Sequence, residues 1–164
     1  MGDMFLQLDG IRGESQDEAQ PISHAGEIEI ADWKWNMNQP AEFKMNQSVA
    51  STKLDVQNIT ITKIVDIATV ALAQYCALGK HIPKGKITCR KNAGDRKVEY
   101  LRIELHDIMV KDIDWQDKGE KAATTELVQL NFAEFKIHYA LQNNRGNEAS
   151  TTEFGFNVVT HQQT

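Results

Sequence analysis

The sequence predicts a mainly β protein with one α-helix, folded as a small barrel or as two packed antiparallel sheets. Apolar residues alternate with polar ones in about eight segments, which is the two-residue period of half-buried strands. In several of these segments the alternation changes parity part-way, as it does in bulged and strongly curved strands. Only one segment, residues 66–79, has the spacing of a helix.

The amino-terminal third of the chain predicts two strands followed by a long loop. Residues 4–8 form the first strand and residues 28–37 form the second. The apolar positions of the second strand change face near residues 31–32, which indicates a β-bulge; the alternative is a strand that passes from one sheet to the other. Residues 38–52 have no regular period and contain Pro40. We therefore expect a long loop there, of the kind that is usually functional or disordered.

A third predicted strand, residues 54–61, leads into the predicted helix. Asp66 or Thr69 supplies its N-cap, and Gly79 suits the left-handed position that follows the last turn. Pro83 prevents the helix from continuing. The remaining predicted strands, which are joined by polar turns, lie around residues 87–89, 98–115, 128–141 and 154–158.

The composition is that of a single folded domain, which we expect to span residues 1–164. Hydrophobic residues make up 41% of the chain and charged residues 25%, which is typical of a folded protein rather than a disordered one. No apolar run is long enough to cross a membrane, and the amino terminus has no basic stretch followed by an apolar one. We therefore expect neither membrane insertion nor a signal peptide, and we expect Cys76 and Cys89 to be free, buried thiols.

The net charge of −5 argues against nucleic acid as a partner, and its distribution suggests a different one. Residues 1–32 contain eight acidic residues and one arginine, whereas residues 80–97 contain seven basic residues and one acidic residue. Blocks of opposite sign on one small domain suit head-to-tail association of identical copies, which closes into a ring where the rotation allows it. The alternative is that the two blocks are solvated faces that never meet.

The sequence contains no motif that predicts catalysis, a cofactor or a bound metal. The five histidines are scattered, and there is no nucleophile motif and no phosphate-binding loop. One acid–base pair is conceivable, because Glu104 and His106 share a face of a predicted strand. Trp33 and Trp35 also share a face and could stack a sugar, although large aromatic side chains more often pack in a core. We therefore expect a protein that is not an enzyme.

Short segments in order along nearly the whole chain carry a family resemblance. They are Asp3-Met4-Phe5-Leu6, Ile11-Arg12-Gly13-Glu14-Ser15, Glu27-Ile28 with Trp33-Lys34-Trp35, Thr62-Lys63 with Asp66, Gly79-Lys80-His81-Ile82-Pro83-Lys84, Val98-Glu99-Tyr100-Leu101, Glu126-Leu127-Val128-Gln129-Leu130-Asn131-Phe132 and Phe154-Gly155-Phe156-Asn157. With these segments the chain resembles the haemolysin-coregulated protein (Hcp) family, the inner-tube proteins of type VI secretion. The family usually has Thr-Pro at the start of its helix, where this sequence has Thr69-Val70.

The resemblance implies a closed β-barrel of two packed antiparallel sheets with one α-helix at its side, an architecture shared with phage tail tubes. It implies a homohexameric ring that stacks into a hollow tube, which a contracting sheath pushes out with a spike protein at its tip. It also implies effector proteins carried in the lumen, with no active site and no cofactor. The protein would then assemble in the cytoplasm and be secreted by the type VI apparatus without a signal peptide.

For such a ring, charge and loop composition predict which residues contact another subunit or another ring. The charged candidates are Glu27 and Glu29 in the acidic block and Lys80, Lys84 and Lys86 in the basic block. The apolar candidates are Pro40, Phe43 and Met45 in the predicted loop, because exposed apolar groups gain most by burial against a partner. The alternative function is a monomeric β-sandwich module that binds carbohydrate or protein through Trp33 and Trp35.

Overall fold

The structure, a computed structural model, describes residues 3–19, 22–41, 53–143 and 148–164. Within these residues the chain forms eleven strands and one helix. In chain order they are β1 (Met4–Leu8), β2 (Ile28–Glu29), β3 (Asp32–Lys34), β4 (Met37–Asn38), β5 (Asp55–Val56), β6 (Ile59–Ile64), α1 (Ala68–Leu78), β7 (His81–Ala93), β8 (Arg96–Gln116), β9 (Thr125–Gln142), β10 (Glu148–Asn157) and β11 (Gln162–Gln163).

Antiparallel pairing organises the strands into one large sheet and one small sheet. The order in the large sheet is β11-β10-β9-β8-β7-β1-β2. The first part of β9 also pairs with β6, and β6 pairs with β3. The small sheet consists of β4 and β5, and most of the predicted long loop, residues 42–52, lies outside the described residues. The predicted fold of two antiparallel sheets and one helix is confirmed at this level.

The two longest strands bend at the same level of the large sheet. In β8 the buried positions change parity between Leu105 and Ile108, on either side of Asp107, whose φ of 52° is unusual for a strand residue. In β9 they change parity between Phe132 and Phe135, as the sequence predicts. The two parity changes lie side by side in the sheet, because Ile108 of β8 pairs with Phe132 of β9. The bend turns both halves of each strand toward one apolar core.

The second predicted strand changes its hydrogen-bonding partner part-way along. Its first part, β2, pairs with β1, and its second part, β3, pairs with β6. Between them the Ile30 N–H donates to the Met4 carbonyl (3.1 Å), and the Ala31 N–H donates to the Thr62 carbonyl (2.8 Å). The strand changes neighbours, as the predicted alternative requires, but it does not pass from one sheet to the other, because β2 and β3 belong to the same large sheet.

The helix α1 is fixed at both ends as the sequence suggests. Ile67 occupies the N-cap position and has no capping side chain, but the Asp66 carboxylate one residue earlier accepts the Ala68 N–H (2.9 Å) and so supplies the cap; Thr69 lies inside the first turn, where its hydroxyl accepts the Asp66 N–H (3.0 Å). Gly79 ends the helix with a φ of 60°. Ala68 and Leu72 are buried against the core. No helix in the described part of the chain has both the length and the apolar composition needed to cross a membrane.

A buried ion pair joins three strands to the start of the helix. Lys63 on β6 and Glu126 on β9 have fully buried side chains, with Nζ 3.0 Å from Oε2. Lys63 Nζ is also 2.8 Å from Oδ1 of Asp66. The Trp115 indole N–H donates to the second oxygen of the Glu126 carboxylate (3.2 Å). Both charges of this pair are thus compensated inside the protein.

The described residues between Arg12 and Glu27, which we call the N-terminal strap, fold back on themselves. The Gly13 N–H donates to the Gly26 carbonyl (2.9 Å), and the Ser15 N–H donates to the Glu27 carbonyl (3.0 Å). Glycine is required at position 13, because a Cβ there would lie 2.3 Å from the Glu27 carbonyl oxygen. The strap thereby brings its acidic and imidazole side chains to fixed positions.

Candidate functional site

Parts of the acidic and basic blocks meet within one chain. β1 pairs with β7, and the strap crosses the carboxyl-terminal half of β7. The Asp17 carboxylate accepts two hydrogen bonds from the Arg90 guanidinium, at 3.1 and 2.6 Å, and both side chains are nearly buried. The Arg90 guanidinium holds the pKa of Asp17 down at about 2. A second pair joins Lys97 Nζ to an Asp3 carboxylate oxygen at 2.5 Å.

His24 is a buried cation at the other end of the strap. Its Nδ1 is 2.5 Å from Oε2 of Glu27, and its Nε2 is 3.0 Å from Oε1 of Glu99 on β8. Its ring stacks on Phe5 of β1, with the ring centroids 4.3 Å apart. Burial alone lowers the pKa of His24, but the two carboxylates outweigh it and raise the pKa to about 9. At neutral pH a charged imidazolium therefore clamps the strap onto the large sheet.

Some of the charged residues predicted to contact another subunit are exposed, and the others are partly buried within the chain. Glu29 on β2, Lys80 before β7 and Lys84 on β7 are exposed. The ammonium of Lys80 lies 4.7 Å from the centroid of the neighbouring Tyr75 ring. The Glu27 side chain is 13% exposed, and its carboxylate forms an ion pair with His24. Lys86 is partly buried on β7.

The predicted apolar contacts and the tryptophans have different outcomes. Pro40 is exposed, whereas Phe43 and Met45 lie outside the described residues. Trp35 packs edge-on against Phe135 with the centroids 4.8 Å apart, and its indole N–H donates to the Gln57 carbonyl (3.0 Å). Trp33 also packs against the core. The alternative that both tryptophans serve core packing is confirmed.

Glu104 contacts a histidine other than the one that the sequence pattern suggests. Its Oε2 is 3.3 Å from Nε2 of His138 on β9, and its Oε1 is 3.3 Å from Nε of Arg102. The Nδ1 of His138 is 3.0 Å from Oε2 of Glu153 on β10. Among the described residues, no group of three or more His, Cys, Asp or Glu side chains is arranged to hold a metal ion. The cluster is a cross-strand charge network on the sheet surface.

β10 presents an exposed edge that the sequence pattern does not reveal. It begins at Glu148, six residues before the predicted strand, and pairs with β9 along one side. On its other side it pairs with β11 only at Phe156 and Asn157. Within the described residues, the outer edge from 148 to 154 has no strand partner, and all of these side chains are exposed. An edge of this kind is a template for pairing with another chain.

Comparison with known proteins identifies the family. The family model described as "Type VI secretion system effector, Hcp" matches residues 5–139. The chain belongs to the Hcp family. Protein hcp1 from Pseudomonas aeruginosa is 34% identical to this chain over 157 residues, which cover 95% of this chain and 94% of that protein.

Two solved structures have the same fold. Hcp1 from Salmonella typhimurium is 30% identical and superposes with a TM-score of 0.81 over the full length of both chains. A type VI secretion system effector from Yersinia pestis is 27% identical, with a TM-score of 0.76 over 95% of this chain and 100% of that one. As a member of the Hcp family, this chain is a structural protein of type VI secretion and not an enzyme, as the sequence predicts.

Proposed function

We propose that this Hcp-family protein is a subunit of the type VI secretion tube. Six copies form a ring, rings stack into a hollow tube, and effector proteins occupy the lumen. Residues 1–164 act as one domain, which assembles in the cytoplasm, is expelled by the sheath beneath a spike protein, and leaves the cell through the secretion apparatus. The observation that carries this proposal is the family match across residues 5–139.

We include barrel closure in the proposal. The pairings run from β1 through β7, β8, β9 and β6 to β3. β3 follows β2 almost directly in the chain, and β2 pairs with β1. If β2 and β3 act as one strand, this circuit returns to its starting point and removes the edges of the strands within it. The outer edge of β10 lies outside the circuit, where a neighbouring copy can add a strand.

We propose that Glu29 of one copy faces Lys80 and Lys84 of the next copy. These three side chains are exposed, whereas Asp17 and Arg90 neutralise one another within the chain. Contact between two different surfaces is head-to-tail, which is the arrangement that a ring requires. The other predicted contacts are Glu27 and Lys86 behind this charge pair, and Pro40, Phe43 and Met45 against the neighbouring subunit or the next ring.

The direct test of the proposed function is the mass of the purified protein in solution. A ring has six times the 18.5 kDa mass of the chain, whereas a binding module of the alternative class is monomeric. Light scattering coupled to size exclusion separates the two, and electron microscopy of the same sample reveals rings or stacked rings. A monomer across the accessible concentration range would contradict the proposal.

The charge contact predicts a salt-sensitive defect in a charge-reversal variant. Changing Lys84 and Lys86 to Glu should shift hexamer toward monomer, most strongly at low salt, where attraction between exposed charges is least screened. The matched control reverses Lys118 and Lys121, two exposed lysines beyond the basic block, and should leave the hexamer intact. Size exclusion at two salt concentrations measures the difference. Equal behaviour of the two double variants would assign Lys84 and Lys86 to a solvated face.

A further inference from the structure

An exposed aliphatic surface surrounds the start of α1. Its members are Ile64 (54% exposed), Val65 (41%), Ile67 (59%) and Val70 (76%), and we call these four residues the aliphatic patch. Single exposed apolar side chains are ordinary, but a group of large aliphatic side chains within seven residues of chain is typical of an interaction surface.

The backbone beneath the aliphatic patch is held in place before any partner binds. Asp66, in the middle of the patch, contacts the buried Lys63 ammonium at 2.8 Å and caps α1. The Ile67 N–H donates to the Glu14 carboxylate of the strap (3.0 Å). A surface that is already ordered loses little conformational entropy on binding, which favours affinity.

The rim of the aliphatic patch is acidic. Glu14, Glu29 and Asp66 line a hollow together with Ile64 and Val65. An apolar centre with a charged rim is the usual composition of a protein–protein contact. An acidic rim disfavours an anionic lipid surface or a nucleic acid and selects a partner that carries basic residues beside apolar ones.

This chain carries such a surface at the other end of α1. Leu78 is 68% exposed at the last helical residue, and Lys80, Pro83 and Lys84 are exposed just beyond it. We call these four residues the basic end. The helix between the two surfaces has 11 residues, so they are separated by roughly 15–20 Å along its axis. The two surfaces differ, so a contact between them would join copies head to tail.

We propose that the aliphatic patch of one copy packs against the basic end of a second copy. We call this apolar contact the anchor of the ring interface. This inference rests on the proposed function and adds the residues that supply its hydrophobic free energy. Glu29 and Lys84, already proposed as charge partners, then form the rim around the anchor. The sequence gives only a weak signal for the anchor, which is a run of aliphatic residues at positions 64, 65 and 67 that fits neither a strand period nor a helix period.

The test compares the ring stability of variants at Val70, the most exposed member of the patch. Val70→Leu should keep the hexamer, whereas Val70→Asp and Val70→Lys should raise the concentration at which rings dissociate by roughly tenfold or more, as loss of an interface anchor does. Val70→Lys should weaken the ring more than Val70→Asp, because only lysine places like charge against the basic end. Val159→Lys is the matched control, since Val159 is 74% exposed and lies outside both surfaces.

Native mass spectrometry or light scattering over a dilution series supplies the readout, and circular dichroism checks that each variant is folded. A hexameric wild type with an unaffected Val70→Lys variant would overturn the anchor and leave the tube proposal standing. An aspartate variant at least as defective as the lysine variant would also overturn it, because the occupant would then not be basic. A monomeric wild type would overturn both proposals.

Discussion

Replacing Lys63 with Met should lower the free energy of unfolding by roughly 3–5 kcal/mol, because it leaves a fully buried Glu126 carboxylate without its cation. The Trp115 indole N–H still donates to that carboxylate, but one neutral donor does not compensate a buried charge. Urea denaturation at a fixed chain concentration measures the change, since assembly would otherwise alter the apparent stability.

Two further variants separate this effect from the loss of an ordinary ion pair. Combining Lys63→Met with Glu126→Leu should regain part of the lost stability, because the fully buried Glu126 charge is then gone and only the Asp66 carboxylate, 12% exposed, lacks its cation. Lys97→Met, which breaks the more exposed pair with Asp3, should cost less than about 1 kcal/mol. Equal losses for Lys63→Met and Lys97→Met would mean that the Lys63 site is hydrated rather than buried.

Raising the pH from 6.5 to 9.5 should lower the free energy of unfolding by roughly 3 kcal/mol through His24 alone. The pKa of His24 is about 9 in the folded protein and 6.5 for an unperturbed histidine. The folded state therefore binds the proton more tightly. The contribution of protonated His24 to stability is complete below pH 6.5, falls as the pH rises between 6.5 and 9, and is absent above 9. Thermal unfolding at half-unit pH steps follows this loss.

Variants at two histidines assign the pH dependence. The His24→Gln variant should lose little stability between pH 6.5 and 9. At pH 6.5 it should be less stable than the wild type, because it lacks the imidazolium. Among the described residues the exposed His81 forms no ion pair with a carboxylate, and His81→Gln should keep the wild-type slope. A slope that survives in His24→Gln would assign the alkaline loss to another group. At acid pH the Asp17–Arg90 pair acts in the opposite direction, because its stabilisation is lost as the pH falls from 3.8 through about 2.

Local patterns in the sequence were sufficient for most individual elements. The helix end at Gly79 follows from the left-handed conformation that glycine adopts readily, and the cap at Asp66 follows from a carboxylate placed beside the first free N–H groups. The parity change in β9 was visible because two buried phenylalanines, Phe132 and Phe135, are separated by an odd number of positions. These features depend on residues close together in the chain, which is the range over which hydrophobic period and backbone preference operate.

Local sequence patterns did not predict which strands pair with one another. For residues 28–37 the alternation favoured a β-bulge over a strand that passes between sheets, and the change of partner depended on which strands lie on either side. Glu104 and His106 share a strand face by period alone, yet Glu104 contacts His138, which the pairing of β8 with β9 brings alongside it. The length of β10 was underestimated because its exposed residues 148–154 have no hydrophobic alternation.

By itself the sequence determined the β class, the single helix with its two ends, the family, and the presence of two blocks of opposite charge. Only the tertiary structure decided where those charges go. Because β1 pairs with β7 and the strap folds over them, Asp17 and Arg90 are buried against one another, while Glu29 and Lys84 stay at the surface. Charge in a sequence is a sum over residues, whereas its availability to a partner depends on burial and distance, which long-range strand pairing sets.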